Sequence, residues 1–187
     1  MRTATEQSPS LIFPTKGLVG SKTRLLRFNT DDISENYLGW MNDPIVLRYS
    51  NQRFKLHNAT SSAAYLDSFK GTENLFISIK GLVEEESIGT LTVYVAIPHG
   101  TADIGIMIGD RRVWGKGYGL DAWKTVSDWL ISTCLIRKVT GGTLSGNMGM
   151  KKIFERSGMH FEGMRRAQEL VEGIPMDVLY YARFHDA

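Results

Sequence analysis

The stretch Arg112-Val113-Trp114-Gly115-Lys116-Gly117-Tyr118-Gly119 constrains this chain more than any other. Before it, Ile104, Ile106 and Ile108 alternate with the period of a half-buried strand, and Gly109-Asp110 ends the run. After it, Leu120, Trp123, Val126, Leu130 and Cys134 recur at three- and four-residue spacing, as one face of a helix would. Three glycines at alternate positions between a strand and a helix let the backbone turn tightly and approach a ligand closely. The helix that follows presents unpaired N–H groups and the positive end of its dipole. Such a junction suits an anion, above all a diphosphate, with each charge-assisted hydrogen bond contributing about 1.5–3 kcal/mol. Arg112 and Lys116 stand where they can add cationic contacts. The spacing is not that of a P-loop, which needs Gly-Lys-Ser/Thr four residues after a first glycine. Nor is it the dinucleotide fingerprint Gly-x-Gly-x-x-Gly, since the glycines here fall as Gly-x-Gly-x-Gly.

The rest of the chain reads as one mixed domain. At 187 residues it can bury roughly 70% of the surface its unfolded form exposes, enough for a single core. Residues 1–21 mix Ser, Thr, Pro and Gly without a period, which predicts a flexible or loosely docked lead-in; the domain proper is expected over 22–187. A first strand is expected over 23–28. Asn29-Thr30-Asp31-Asp32 offers N-caps for a helix carrying Ile33, Tyr37, Leu38 and Trp40, broken at Asp43-Pro44. A second helix is expected from near Thr60 to Gly71. Strands follow over 75–79, 88–97 and, after the turn Pro98-His99-Gly100, through Ile104 to Ile108. Beyond the glycine-rich helix come a strand over 138–144, a helix over 148–156 stopped at Ser157-Gly158, and strands near Phe161 and over 177–184 flanking a turn at Glu172-Gly173.

Arg-x-x-Gly-x-Gly, met by Arg112, Gly115 and Gly117, resembles the pyrophosphate-binding loop of the GNAT superfamily of acetyl-CoA-dependent N-acetyltransferases. The strand at 102–109 is similar to that superfamily's fourth strand, and Gly119-Leu120-Asp121-Ala122 to the start of its following helix. Downstream, residues 147–159 resemble its Asn-led helix and the approach to the next strand. The resemblance runs over residues 25–184. It implies an α/β fold with a mixed, largely antiparallel sheet, flanked by helices and splayed where acetyl-CoA inserts. It implies a cofactor site at Arg112, Val113, Trp114, Gly115, Lys116, Gly117, Tyr118 and Gly119. A backbone N–H near Met107 or Ile108 would be the oxyanion donor, and Asn147 would touch the pantetheine arm or cap its own helix. Asp103 stands where members often carry a catalytic carboxylate; a strand-end surface Asp is the competing reading. Phe154 departs from the pattern, because many members carry a proton-donating Tyr there. Ser145, Tyr94 or a water is left for that role, or the thiolate leaves unaided.

Within the superfamily, the chain resembles the branch that holds ribosomal-protein N-terminal acetyltransferases and bacterial amine-sugar N-acetyltransferases. Tyr37-Leu38-Gly39-Trp40-Met41-Asn42-Asp43-Pro44, then Arg48-Tyr49, Gly141-Gly142 and Phe154, are more similar to the sugar-directed members. The implied acceptor is therefore the amine of an amino sugar or nucleotide-linked amino sugar, with a protein N-terminus or a non-catalytic acyl-CoA-binding role as alternatives. A peptide acceptor predicts an open acidic groove; a nucleotide-linked sugar predicts a closed pocket near Arg48, Arg53 or Arg165. A lysine-type amine is less than ~0.1% neutral at pH 7, while an α-amine is roughly 10–20% neutral, so only modest general-base help is needed for the second kind.

Composition excludes other classes. The net charge of +2, with no basic run, argues against nucleic acid as partner. No apolar stretch nears the ~20 residues of a membrane span, and residues 1–10 lack the apolar core of a signal peptide, so a cytoplasmic location is expected. Cys134 is the single cysteine, lies in an apolar run, and reads as a small core residue. His57, His99, His160 and His185 have no metal-ligand spacing. Of the tryptophans, Trp40 and Trp123 are expected to pack and Trp114 to cover the cofactor. Lys151-Lys152 reads as a solvated face or a phosphate contact. A small-molecule amine is the expected partner, and a homodimer is left open.

Overall fold

The alternating runs form strands and the three- and four-residue runs form helices, in a computed structural model that describes residues 11–83, 85–134 and 136–185. Its strands are β1 (Leu18–Val19), β2 (Thr23–Arg27), β3 (Leu75–Gly81), β4 (Ser87–Ala96), β5 (Thr101–Ile108), β6 (Lys138–Leu144), β7 (His160–Val171) and β8 (Ile174–Phe184). The helices are α1 (Glu35–Trp40), α2 (Ala59–Asp67), α3 (Tyr118–Ser132) and α4 (Met148–Arg156). The strands make one sheet in the order β1-β2-β3-β4-β5-β6-β8-β7, antiparallel throughout except where β5 meets β6. Parallel neighbours need a crossover, and α3 supplies it.

Two apolar layers cover the sheet. On one face Leu25, Ile77, Leu91, Val93 and Ile104 pack against the buried side of α3, which carries Trp123, Val126 and Leu130. Each such side chain, fully buried, contributes about 1.5–3 kcal/mol. Gly141 of β6 brings this layer close: a Cβ there would come within 2.8 Å of the Trp123 ring and 2.9 Å of Phe154. The other face is smaller, with Phe28, Phe76 and Met107 under α1 and α2. Phe28 and Phe76 stack at 4.1 Å.

Three expectations change. The expected loose lead-in does not hold for residues 11–21: Leu11 and Phe13 are buried, Phe13 meets Trp129 edge-on at 5.4 Å, and β1 pairs with β2. Two apolar residues without a period carry no helix or strand signature, so their burial is invisible to pattern reading. Residues 1–10 of that lead-in lie outside the described residues. The first expected helix is split. Asn29 caps a short 3-10 turn, Thr30–Asp32, and Ser34 caps α1 separately by accepting from the Tyr37 N–H. The strand near Phe161 is long, and forms a hairpin with β8 whose tip buries Val171. Cys134 is buried as expected, and burial pushes its thiol up to about 11.

Candidate active site

β5 and β6 pair over three residues only, Thr101 with Lys138, Ala102 with Val139 and Asp103 with Thr140. Beyond that point β5 continues to Ile108 held by β4 alone, and β6 to Leu144 held by β8 alone. The sheet is thus splayed, and the backbone groups that turn into the gap need water or a ligand as partner. A cavity of about 1210 Å³ enters the gap, with Gly105, Ile106, Met107 and Ile108 on one lip and Gly146 and Asn147 on the other. One end of the cavity is the glycine-rich loop, through Val113, Trp114, Gly115, Gly117, Tyr118 and Gly119. The other end lies under α1, α2 and the segment 45–57.

The loop has the geometry an anion needs. Gly115 and Gly117 both have positive φ, 74° and 88°, which a residue with a Cβ adopts only under strain. Gly117 is the N-cap of α3 and, having no side chain, caps none of the first-turn N–H groups. Trp114 anchors the loop by donating its indole N–H to the Ile108 carbonyl at 2.7 Å, and its half-exposed ring walls the cavity.

The two expected cations are elsewhere. Arg112 forks onto Asp110, with Nε at 3.0 Å from Oδ1 and Nη2 at 2.9 Å from Oδ2, and reaches Glu86 at 3.6 Å. That hydrogen bonding holds the Asp110 carboxyl below the usual carboxylate range. Neither Arg112 nor Lys116 borders the cavity.

Asp103 also stands outside the cavity lining, at the closed end of the splay. Burial pushes its carboxyl up, although the residue keeps an exposed surface, and the Thr140 hydroxyl donates to Oδ2 at 2.6 Å. Asn147 borders the cavity and caps α4, its Oδ1 accepting from the Met150 N–H at 3.1 Å. Both readings of Asn147 are compatible, since capping leaves its Nδ2 unengaged among the described residues. Tyr94 and Ser145 do not border the cavity. Phe154 is wholly buried between Trp123 and Tyr181. Of the lysine pair, Lys152 borders the cavity and Lys151 does not.

Pattern reading missed most of the polar wall at the far end. Ser62 Oγ faces the cavity, is buried, and has no hydrogen bond of good geometry, although it lies near enough to Tyr37 to act on that phenol. Burial pushes the Tyr37 hydroxyl up, and burial with the neighbouring Tyr94 hydroxyl at 2.9 Å does the same to Tyr65. Both phenols are therefore protonated donors at neutral pH. His57 is pinned by its backbone to Asn42, and its Nε2 lies 3.1 Å from the Gln52 carbonyl. A carbonyl only accepts, so Nε2 is the donor in this contact. Arg48 and Lys55 share this end, and the described residues lining the cavity include no Asp or Glu. Ser62 and Tyr65, three apart on α2, were the one signal in the sequence, a polar stripe on a helix face.

The family model of the acetyltransferase (GNAT) domain matches residues 22–160. The chain is similar to a probable N-acetyltransferase, YjcK, of Bacillus subtilis (strain 168), with 25% identity over 112 residues. That match spans 59% of this chain and 61% of the relative, less than two thirds of its length. Among solved structures, a GNAT-family acetyltransferase from Bacillus anthracis aligns with a TM-score of 0.77 at 16% identity, covering 90% of this chain and 98% of that one. The spermidine N-acetyltransferase of Vibrio cholerae, in complex with CoA and spermine, aligns with a TM-score of 0.77 at 15% identity, covering 88% and 96%. These structural likenesses show the fold, and the family model covers well over half of the sequence: the chain belongs to the GNAT acetyltransferase family.

Proposed function

We propose that the chain moves the acetyl group of acetyl-CoA to a primary amine, that of an amino sugar or a nucleotide-linked amino sugar. The observation that carries this reading is one continuous cavity, which runs from the glycine-rich loop through the splay to a hydroxyl-walled pocket. The loop suits the donor's diphosphate, with Gly115 and Gly117 leaving a cradle that side chains would fill. A solved relative in fold was captured with CoA, which supports the same donor here. When bound, acetyl-CoA supplies an activated thioester. In the transfer a C–N bond forms, the C–S bond breaks, the amine loses a proton and the leaving sulfur gains one.

The chain's own groups take these parts in our reading. A backbone N–H of Met107 or Ile108 polarises the reacting carbonyl from the lip of the gap. Asn147 orients the arm of the donor. Asp103, set back from the cavity, assists deprotonation through water. Phe154 has no proton to give, so the sulfur is protonated by water or by a wall phenol such as Tyr49, whose ring lies against Gly146. Supply of acetyl-CoA puts the reaction in the cytoplasm.

The far wall supports the acceptor class. Tyr37, Ser62 and Tyr65 suit a polyhydroxylated molecule, and Arg48 and Lys55 suit an attached phosphate or carboxylate. A polyamine would meet cations with no carboxylate among the described lining residues. A protein N-terminus would be expected to find an acidic groove. The test is CoA-thiol release with a panel of nucleotide-linked amino sugars, free amino sugars, short peptides and spermidine. The highest kcat/KM is expected for a nucleotide-linked amino sugar. A preference for spermidine or peptide overturns the acceptor class, and no release with any amine returns the chain to a binding module.

A further inference from the structure

The segment before β2 is strapped to the start of α3. Asp121, in the first turn of that helix, accepts hydrogen bonds from the Ser21 N–H (2.9 Å) and hydroxyl (2.7 Å), the Lys22 N–H (3.0 Å), and the Thr23 N–H (2.9 Å) and hydroxyl (2.7 Å). Burial opposes its charge, but these bonds outweigh burial and hold the carboxyl below the usual range. An acidic side chain at this place would repel an anion on the loop. Five donors satisfy its oxygens and leave it charged, and the same strap carries a cation to the spot that offsets that charge. A Cβ built on Gly117 would lie 3.7 Å from the Lys22 ε-carbon, and the Lys22 ammonium is 5.7 Å from the centre of the Tyr118 ring. Gly117 and Tyr118 both border the cavity; Lys22 does not line it but lies exposed beside these two residues. Among the described residues no carboxylate pairs with its ammonium, whereas Arg112 is committed to Asp110.

We infer that Lys22 is a phosphate-binding residue of the cofactor site, delivered across the chain by the strap that Asp121 holds. This rests on the reading that acetyl-CoA occupies the glycine-rich loop. Two phosphates of that donor have the right chemistry, the diphosphate and the 3′-phosphate. A lysine on a four-carbon stem is a mobile point charge suited to either. Lys152 and Arg156 of α4 also border the cavity; Lys22 adds a cation beside the loop itself.

The test is binding, independent of turnover. Calorimetry on the full chain compares wild type, Lys22→Met and Lys22→Arg with acetyl-CoA, 3′-dephospho-acetyl-CoA and acetyl-pantetheine, which has no phosphate. Lys22→Met is expected to bind acetyl-CoA about tenfold more weakly, or about 1.4 kcal/mol. Lys22→Arg should stay within about threefold of wild type, and acetyl-pantetheine should not distinguish the three proteins. A loss that persists with the dephospho form assigns Lys22 to the diphosphate, and a loss that disappears assigns it to the 3′-phosphate; both support the inference. Acetyl-CoA affinity of Lys22→Met within twofold of wild type overturns it. An equal loss with acetyl-pantetheine also overturns it, because the effect is then structural. Wild type that binds neither CoA form fails the cofactor reading itself, a result distinct from a silent Lys22→Met.

Discussion

Phe154 stacks on Tyr181 at 4.7 Å, meets Trp123 edge-on at 5.3 Å, and borders no part of the cavity. Its ring is therefore a packing group, at a position where the family resemblance implied a proton donor. Phe154→Leu keeps most of the volume and should cost about 1.5 kcal/mol or less, read as a fall in Tm of a few degrees. Turnover at saturating acetyl-CoA should drop less than about tenfold, since losing a true general acid costs ~10²–10⁴-fold. Phe154→Tyr should gain no rate and should lose stability, because its hydroxyl enters an apolar core. Arg112 teaches the complementary lesson. Sequence proximity assigned it to the loop's anion, but Asp110, two residues earlier, captures it. That competitor was legible in the sequence, as Asp-x-Arg in a turn, and was outweighed by the glycines.

Among the elements, β6 and α4 were legible to the residue, and α4 is so because Asn147 caps its start and Ser157-Gly158 ends it. The strap was not. Its contacts reach about a hundred residues along the chain, to Asp121, and no local period reports a contact of that separation. The lead-in failed for the same reason, its two buried residues being anchored on β2 and α3 rather than on neighbours. Asp121→Asn replaces an acceptor with a side chain that also donates, against five donors. It should cost about 2 kcal/mol, a fall in Tm of roughly 4–8 °C. Because the folded carboxyl is held below its unfolded value, the stability it contributes is present above about pH 4 and is lost as pH falls through the folded value. The gap in Tm between wild type and Asp121→Asn should therefore be full at pH 7 and close in acid. A constant gap across that range would mean the carboxylate charge is not what holds the strap.

For the whole molecule, the family-level expectation of a mixed, splayed sheet was readable because several ordered segments each carry their own period. The far wall of the cavity was not, because Tyr37, His57, Ser62 and Tyr65 converge from separate segments whose local patterns look like ordinary caps and core. The cavity borders residues of both apolar layers, among them Tyr118 on one face and Phe76 on the other, so a ligand filling it should stabilise both together. At a hundredfold excess over its Kd, acetyl-CoA should add about 2.7 kcal/mol, raising Tm by roughly 5–10 °C in one cooperative transition. A second, unshifted transition would show the two layers to be independent. The three paired residues between β5 and β6 have a mechanical meaning as well. They make the sheet a pair of leaves on a short spine, one leaf of β1 to β5 and the other of β6 to β8. Whatever lies between the leaves acts as a missing rib, so the stiffness of this protein is partly on loan from its substrate and is returned at the end of each turnover.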